Sequence, residues 1–360
     1  MTATVVCGWD SSEKGIIVEY RTLGTSGAVV STYALGTMTF GSETDEAGSH
    51  VQLDRYVEAG GNFIDTADVY SSGGSEEIVG RWLAKSSARD DVVLATKGRF
   101  PTGGGPNDVG TSRRHLRRAL DASLQRLGVD HIDLYQLHAW DPVTPLEETL
   151  GFLEDAVRGG KISYGGLSNF TGWQLQKACD LIAHRGWSRL VTLQPQYNLL
   201  VREIEWEVVP AAQENGLGLL PWSPLGGGWL TGKYSFDEEP TGATRLGENP
   251  DRGVESWHRR SRNQRVRDVV EAVREIAVAR GNSMAQVALA WLVDRPAMTS
   301  VILGARTLEQ LDDNLAAADL HLTADETAKL DQASDPGAAD YPYGGPGVTQ
   351  RGRPIIGGRA

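Results

Sequence analysis

The sequence predicts an α/β chain closed as a (β/α)8 barrel, and three observations carry that reading. Eight short apolar runs of strand length occur at 33–36, 62–65, 92–97, 132–138, 163–168, 190–194, 217–222 and 299–303. Segments between them repeat apolar residues at helical spacing: Leu116, Leu120, Leu124 and Leu127 in 111–127, Leu146, Leu150, Leu153 and Val157 in 146–158, and Val266, Val269, Val270, Val273 and Ile276 in 266–277. Alternating β and α units imply a parallel sheet, and eight of them imply closure as a TIM barrel. The third observation is chemical. Three successive runs end in Asp65, Lys97 and His138, and such barrels carry their chemistry at the C-terminal ends of the strands.

In chain order, residues 1–17 fall outside this pattern and are expected to be a disordered extension or an artefact of the assigned start. Two alternating runs between 17 and 33 flank Gly24, Thr25, Ser26 and Gly27, which reads as a β-hairpin. The barrel is expected to span 18–334. A typical barrel needs ~250 residues, so much of this chain belongs to extended loops. These are the loop 101–110, a long segment 233–260 after the seventh strand, and a Gly/Pro-rich tail over 335–360, with Tyr341 and Tyr343, that reads as loop or disorder.

Composition narrows the function. Lys and Arg number 35 against 47 Asp and Glu, a net charge of −12. That disfavours nucleic acid or an anionic membrane as a general partner, while allowing a local basic pocket. Two cysteines, Cys7 and Cys179, suit a reducing compartment rather than a disulfide framework. The seven histidines show no metal-ligand spacing, so no metal is expected. No run approaches the ~18 apolar residues of a membrane helix, and residues 1–15 lack the apolar segment of a signal peptide. A cytoplasmic enzyme with a small-molecule substrate is therefore expected. The basic run from Arg113 to Arg118 contains Leu116 of the buried stripe, so its arginines read as a solvated helix face.

The strand-end residues suggest a reaction. Phe63 and Ile64 lead into Asp65, and Tyr70 follows five residues later, ahead of Ser71, Ser72, Gly73 and Gly74. An ammonium beside a phenol favours the phenolate and lowers its pKa. A carboxylate holds the ammonium charged and in place, and a histidine can aim a carbonyl oxygen at the phenol. The group makes a proton donor for an electrophilic carbonyl. It contains no hydride source, so a cofactor is expected.

In their local strings, FIDTA (63–67), LATK (94–97) and LYQLH (134–138), Asp65, Tyr70, Lys97 and His138 resemble the catalytic tetrad of the aldo-keto reductases. The resemblance runs from about 20 to 330 and extends to the long-chain branch that includes potassium-channel β subunits. It implies NADPH-dependent reduction of an aldehyde or ketone, or the reverse oxidation, with the hydride from nicotinamide and the proton from Tyr70. It also implies that the N-terminal hairpin plugs the bottom of the barrel.

The resemblance places the cofactor without a Gly-x-Gly-x-x-Gly fingerprint, which the sequence lacks. Ser168, Asn169 and Gln194 match positions that bond the nicotinamide carboxamide, and Trp222 matches the aromatic that stacks on its ring. Ser223, Pro224, Leu225 and Gly226 look like the loop over the pyrophosphate, and Gly36, Thr37 and Met38 like the segment at the nicotinamide ribose. Lys233 and Arg245 resemble cations of the channel-subunit branch. The last strand delivers Gly304 and Arg306, followed by Gln310, Asp313 and Asn314 on one helical face. Arg306 can fork onto an adenosine 2′-phosphate while Gln310 and Asn314 take the adenine edge, which favours NADPH/NADP+ over NADH.

Two other classes compete. One is a cofactor-binding regulatory subunit with little turnover, against which His138 counts, since the channel subunits carry Asn there. The other is a Schiff-base lyase on Lys97, disfavoured because a lysine held by Asp65 stays charged. Trp140 and Trp229 are candidates for the substrate pocket. The carbonyl substrate and the oligomeric state, a homo-oligomer included, stay open.

Overall fold

The computed structural model describes residues 18–338, 340–345 and 347. The expectation for 1–17, and that for most of the 335–360 tail, lies outside the described residues. Ten strands occur among them: β1 (Tyr20–Thr22), β2 (Val29–Ser31), β3 (Tyr33–Gly36), β4 (Phe63–Asp65), β5 (Val93–Gly98), β6 (Ile132–Leu137), β7 (Ile162–Ser168), β8 (Leu190–Gln194), β9 (Gly218–Leu219) and β10 (Val301–Leu303). β1 and β2 pair antiparallel, and the other eight form one parallel sheet in the order β10, β3, β4, β5, β6, β7, β8, β9. The sheet closes between β9 and β10. Leu219 N–H donates to Ala297 O at 2.8 Å, Leu219 O accepts from Thr299 N–H at 3.0 Å, and Ile302 N–H donates to Pro221 O at 3.0 Å. The chain is a (β/α)8 barrel.

The seventh barrel strand is shorter than the 217–222 run. Pro221 has no N–H to give a ladder, although Leu220 and Trp222 still donate across to Leu193 O and Pro195 O at 2.9 and 3.0 Å. Helices α1 (Glu46–Glu58), α2 (Gly74–Ser86), α3 (Arg113–Leu127), α4 (Leu146–Arg158), α5 (Gly172–Arg185) and α6 (Val208–Asn215) follow β3 to β8 in turn. The long segment after β9 holds α7 (Arg245–Glu248) and α8 (Trp257–Arg260), then α9 (Gln264–Arg280) and α10 (Met284–Val293) lead into β10. α11 (Leu308–Leu315) and α12 (Ala324–Ser334) complete the ring. The sequence chemistry sets their ends. α3 starts where the Ser112 hydroxyl accepts from His115 N–H and stops at Gly128, whose φ is 67°.

Two cores follow from the period-2 alternation of strand side chains. Leu35, Ile64, Leu94, Tyr135, Leu167 and Leu193 pack against the helices. Ala34, Phe63, Ala95, Leu134, Leu220 and Ile302 form the barrel floor together with Leu23 and Val30 of the hairpin. The hairpin thus plugs the barrel. Its turn residue Gly24 has φ 57°, and a Cβ there would lie 2.1 Å from Val191 O. Each buried Leu or Phe of this floor contributes roughly 1.5–3 kcal/mol, which helps to offset the cost of the buried polar layer above it.

The described part of the tail returns to the barrel. Tyr343 stacks on Trp206 with ring centroids 5.5 Å apart and 17° between planes, and its hydroxyl donates to the Glu207 carboxylate. Among the described residues, no single helix is long and apolar enough to cross a membrane.

Candidate active site

Parallel register builds the polar layer. Asp65 sits opposite Ala95, and Lys97 sits opposite Gln136. Lys97 is thus one side-chain layer beyond Ala95 on the same face, and His138 one beyond Gln136. Lys97 Nζ donates to Asp65 Oδ2 at 2.5 Å, to Thr66 O at 2.8 Å and to Tyr70 Oη at 3.4 Å. The Tyr70 ring stands edge-on to the His138 ring at 5.8 Å. The structure therefore brings Asp65, Tyr70, Lys97 and His138 together. Tyr70 is delivered by a strained turn in which Ser71 and Ser72 have φ of 49° and 55°, a cost of order 1–3 kcal/mol per residue that tends to be kept at functional sites.

Burial sets the protonation states. It pushes Lys97 down, but Asp65 and Tyr70 outweigh it, and the ammonium's pKa is raised. Burial pushes the Tyr70 phenol up; Lys97 pulls it back without overcoming that, and the net shift is upward. This corrects the sequence expectation of a lowered phenol: the site is deep enough for desolvation to exceed the pull of one ammonium at 3.4 Å. Burial, then the charges of Lys97 and Arg99, hold His138 well below the usual histidine range, so its ring is neutral.

Sequence reasoning missed several members of this layer. Gln136 Nε2 donates to Asp65 Oδ1 at 3.2 Å. The available signal was its two-residue spacing from His138. Asp68 is buried and both its carboxylate oxygens lack a hydrogen-bond partner. Burial, with the neighbouring Glu76, pushes it up to about 7. Glu76 is itself buried, accepting from Thr96 Oγ1 at 2.6 Å and Arg126 Nε at 2.7 Å.

The residues expected at the cofactor divide into groups. Ser168, Asn169 and Trp222 form a chain: Trp222 Nε1 donates to Asn169 Oδ1 at 3.0 Å, Asn169 Nδ2 to Ser168 Oγ at 3.1 Å, and Ser168 Oγ to Gln194 O at 2.8 Å. Asn169 and Ser223 both have φ of 55°, which turns the chain sharply just past β7 and β9. After Ser223, Pro224 and Leu225 come Gly226, Gly227 and Gly228, all at positive φ. Lys233 and Arg245 follow, with Lys233 Nζ 5.2 Å from the Tyr234 ring. Partial burial and the charges of Arg306 and Arg245 push Lys233 down. Arg245 is paired with Glu255 at 3.4 Å, and the residual positive charge of this cluster suits an anionic ligand. With the half-buried Trp222 ring, this donor set fits a nicotinamide dinucleotide.

Other residues expected at the cofactor have partners within the protein. Gln194 Nε2 donates to Asp65 Oδ1 at 2.9 Å, so it braces the Asp65–Lys97 pair. The Thr37 hydroxyl is buried on Ser75 Oγ at 2.8 Å, and a Cβ at Gly36 would lie 2.6 Å from Ile302 Cγ2. Of that trio, Met38 alone presents a side chain. Arg306 is paired with Glu43 at 2.8 Å and Glu248 at 3.2 Å, so both ends of its fork are engaged. Gln310 Oε1 accepts from Arg306 N–H at 2.9 Å, and Asn314 Nδ2 donates to Gly304 O at 3.4 Å. Asp313 does not join them: it accepts from Gln286 Nε2 at 2.8 Å and Ser283 Oγ at 2.9 Å at the start of α10. Trp229 is 1% exposed and lies in the core, whereas Trp140 packs beside Phe170 and Trp173 at 5.3 and 5.4 Å.

Comparison with known proteins agrees with this architecture. Residues 33–335 match the Aldo/keto reductase family. The chain is 41% identical over 314 residues to an uncharacterized oxidoreductase, YrpG, of Bacillus subtilis, covering 85% of this chain and 92% of that one. It is 35% identical over 345 residues to versiconal hemiacetal acetate reductase of Aspergillus parasiticus (89% and 98% covered). A probable voltage-gated potassium channel subunit beta of Arabidopsis thaliana is 36% identical over 308 residues (84% and 92% covered). With residues 33–335 matched to the family, a hairpin-plugged barrel, and Asp65, Tyr70, Lys97 and His138 gathered at its mouth, the chain belongs to the aldo/keto reductase family.

Proposed function

We propose that the chain reduces an aldehyde or ketone with NADPH, Tyr70 supplying the proton, in a reducing, cytoplasmic compartment. The observation that carries this reading is the buried chain from Asp65 through Lys97 to Tyr70, beside a neutral His138. NADPH, held by Ser168, Asn169 and Trp222 at its nicotinamide end, would supply the hydride to the carbonyl carbon, with NADP+ as the oxidised product. The raised phenol keeps its proton until charge develops on a carbonyl oxygen near it. The proton then passes from Tyr70 Oη to that oxygen, and Lys97 stabilises the phenolate left behind. Asp65, braced by Gln136 and Gln194, holds the ammonium charged. Neutral His138 can donate to the carbonyl oxygen and so fix the substrate against the phenol.

Lys233, Arg245 and Arg306 support NADPH over NADH, Arg306 exchanging its carboxylate partners for a 2′-phosphate. Ser168, Asn169 and Trp222 would hold the nicotinamide end. A titration with NADPH and with NADH, followed by nicotinamide absorbance on adding an aromatic aldehyde, tests the reading. Tight NADPH binding with aldehyde-dependent oxidation is expected. The similarity to a potassium-channel β subunit supports a second reading, a nucleotide-binding regulatory subunit; stoichiometric binding without turnover on a broad carbonyl panel would favour it.

A further inference from the structure

The residue after the catalytic strand carries a charge that the reaction above does not use. Lys97 and Gly98 end β5, and Arg99 turns over the mouth of the site with φ 150°, a conformation that residues with a Cβ rarely take and that concentrates at functional sites. Its guanidinium lies 5.0 Å from the Phe100 ring centroid. Phe100 in turn stands against the His138 ring at 4.7 Å. Arg99 is therefore about one aromatic ring beyond the group expected to orient the carbonyl.

Among the described residues, no acid lies within ion-pair distance of that guanidinium. Nη2 donates to Trp140 O at 3.3 Å, while Nε is buried with no hydrogen-bond partner. Asp141, on the same rim, feels the Arg99 charge: burial pushes its carboxyl up, but hydrogen bonds from Thr111 N–H and Thr144 Oγ1, both at 2.7 Å, and from Val143 N–H at 3.0 Å, helped by Arg99, hold it down. An unpaired, partly desolvated arginine beside an apolar wall is costly in a free protein and favourable once an oxyanion arrives. In a chain of net charge −12, such a cation is conspicuous.

The position separates this cation from the cofactor. Lys233, Arg245 and Arg306 follow β9 and β10, which adjoin in the closed sheet, and β5 and β6 lie across the barrel from them. An anion at Arg99 thus belongs to the substrate side. Phe100 stands between Arg99 and His138, and Trp140, whose carbonyl Arg99 holds, packs with Phe170 and Trp173 to extend the aromatic wall. A planar ring suits that wall.

We propose that Arg99 is a specificity-determining residue that binds a carboxylate on the substrate, so that the preferred substrates are aromatic carbonyl acids with the carboxylate across the ring from the carbonyl. The proposal rests on the reductase reading given above. The Arg99 Nη groups give the carboxylate a forked contact, the ring lies against Phe100 and Trp140, and the carbonyl is left at Tyr70 and His138.

The test compares 4-formylbenzoate with its neutral methyl ester at saturating NADPH, in the wild type and in Arg99→Met and Arg99→Lys. The wild type is expected to favour the carboxylate in kcat/KM, through a lower KM. Arg99→Met is expected to reduce the carboxylate-to-ester ratio by ~10- to 100-fold, the range for a charge-assisted contact. Arg99→Lys should restore part of it, since lysine keeps the charge but not the fork. An equal loss on both substrates in Arg99→Met, or a wild type that favours the ester, overturns the proposal and leaves the reductase reading standing. A wild type that reduces neither compound, nor any other aldehyde or ketone, overturns both.

Discussion

Lys97 Nζ lies 2.5 Å from Asp65 Oδ2, with the two side chains only 0% and 2% exposed. A pair sealed this far from water is held by its mutual contact and by the groups around it: Thr66 O on the ammonium, Gln136 and Gln194 on the carboxylate. Its position just above an apolar floor makes the pair a charged device in a place where neither charge would survive alone.

Removing one partner should therefore be severe. Asp65→Asn keeps the shape but strands the Lys97 ammonium, and a loss of ~3–5 kcal/mol is expected, read as an earlier midpoint of denaturant unfolding at neutral pH. Asp65→Asn combined with Lys97→Met should recover part of that stability without recovering activity.

Asp68 gives a pH signature. Its carboxyl is raised from the ordinary 3.8 to about 7, first by burial and then by Glu76, with Arg126 and Lys97 pulling the other way. Between those two values the folded protein holds a proton that the unfolded chain has released, so stability falls as pH rises through that window. At ~1.4 kcal/mol per pKa unit, the effect amounts to a few kcal/mol. Asp68→Asn is expected to flatten this slope, seen by comparing unfolding midpoints of both proteins across the window.

How far the sequence revealed the site depended on the kind of information each feature needs. The tetrad was legible because a strand that ends in a charged residue is a local pattern, and parallel neighbours bring such ends together. Gln136 was half-legible, since it shares a face with His138, but an amide in a strand carries no sign of the carboxylate it holds. The direction of the Tyr70 shift was not legible: it depends on how completely the phenol is desolvated, which only packing decides. Asp313 misled because it lies three residues from Gln310, a spacing that often shares a helix face, yet its carboxylate is taken by Ser283 and Gln286. The partners of Arg306 were out of reach, because Glu43 and Glu248 lie 263 and 58 residues away on other loops.

Those partners make a prediction about the cofactor. Arg306→Ala should weaken NADPH by ~10- to 100-fold, the loss of a charge-assisted forked contact, with a much smaller change for NADH. Glu248→Gln releases one competitor for the guanidinium and should tighten NADPH. Both are read from fluorescence titration at fixed salt, since exposed ion pairs weaken as ionic strength rises.

The most direct measurement is single-turnover reduction of an aromatic aldehyde by Tyr70→Phe with NADPH already bound, set beside the wild type. Removing the phenol oxygen should leave NADPH binding nearly unchanged and slow the chemical step by ~10²–10⁴. A Tyr70→Phe protein that reduces the aldehyde at the wild-type rate would contradict the role of Tyr70 as proton donor.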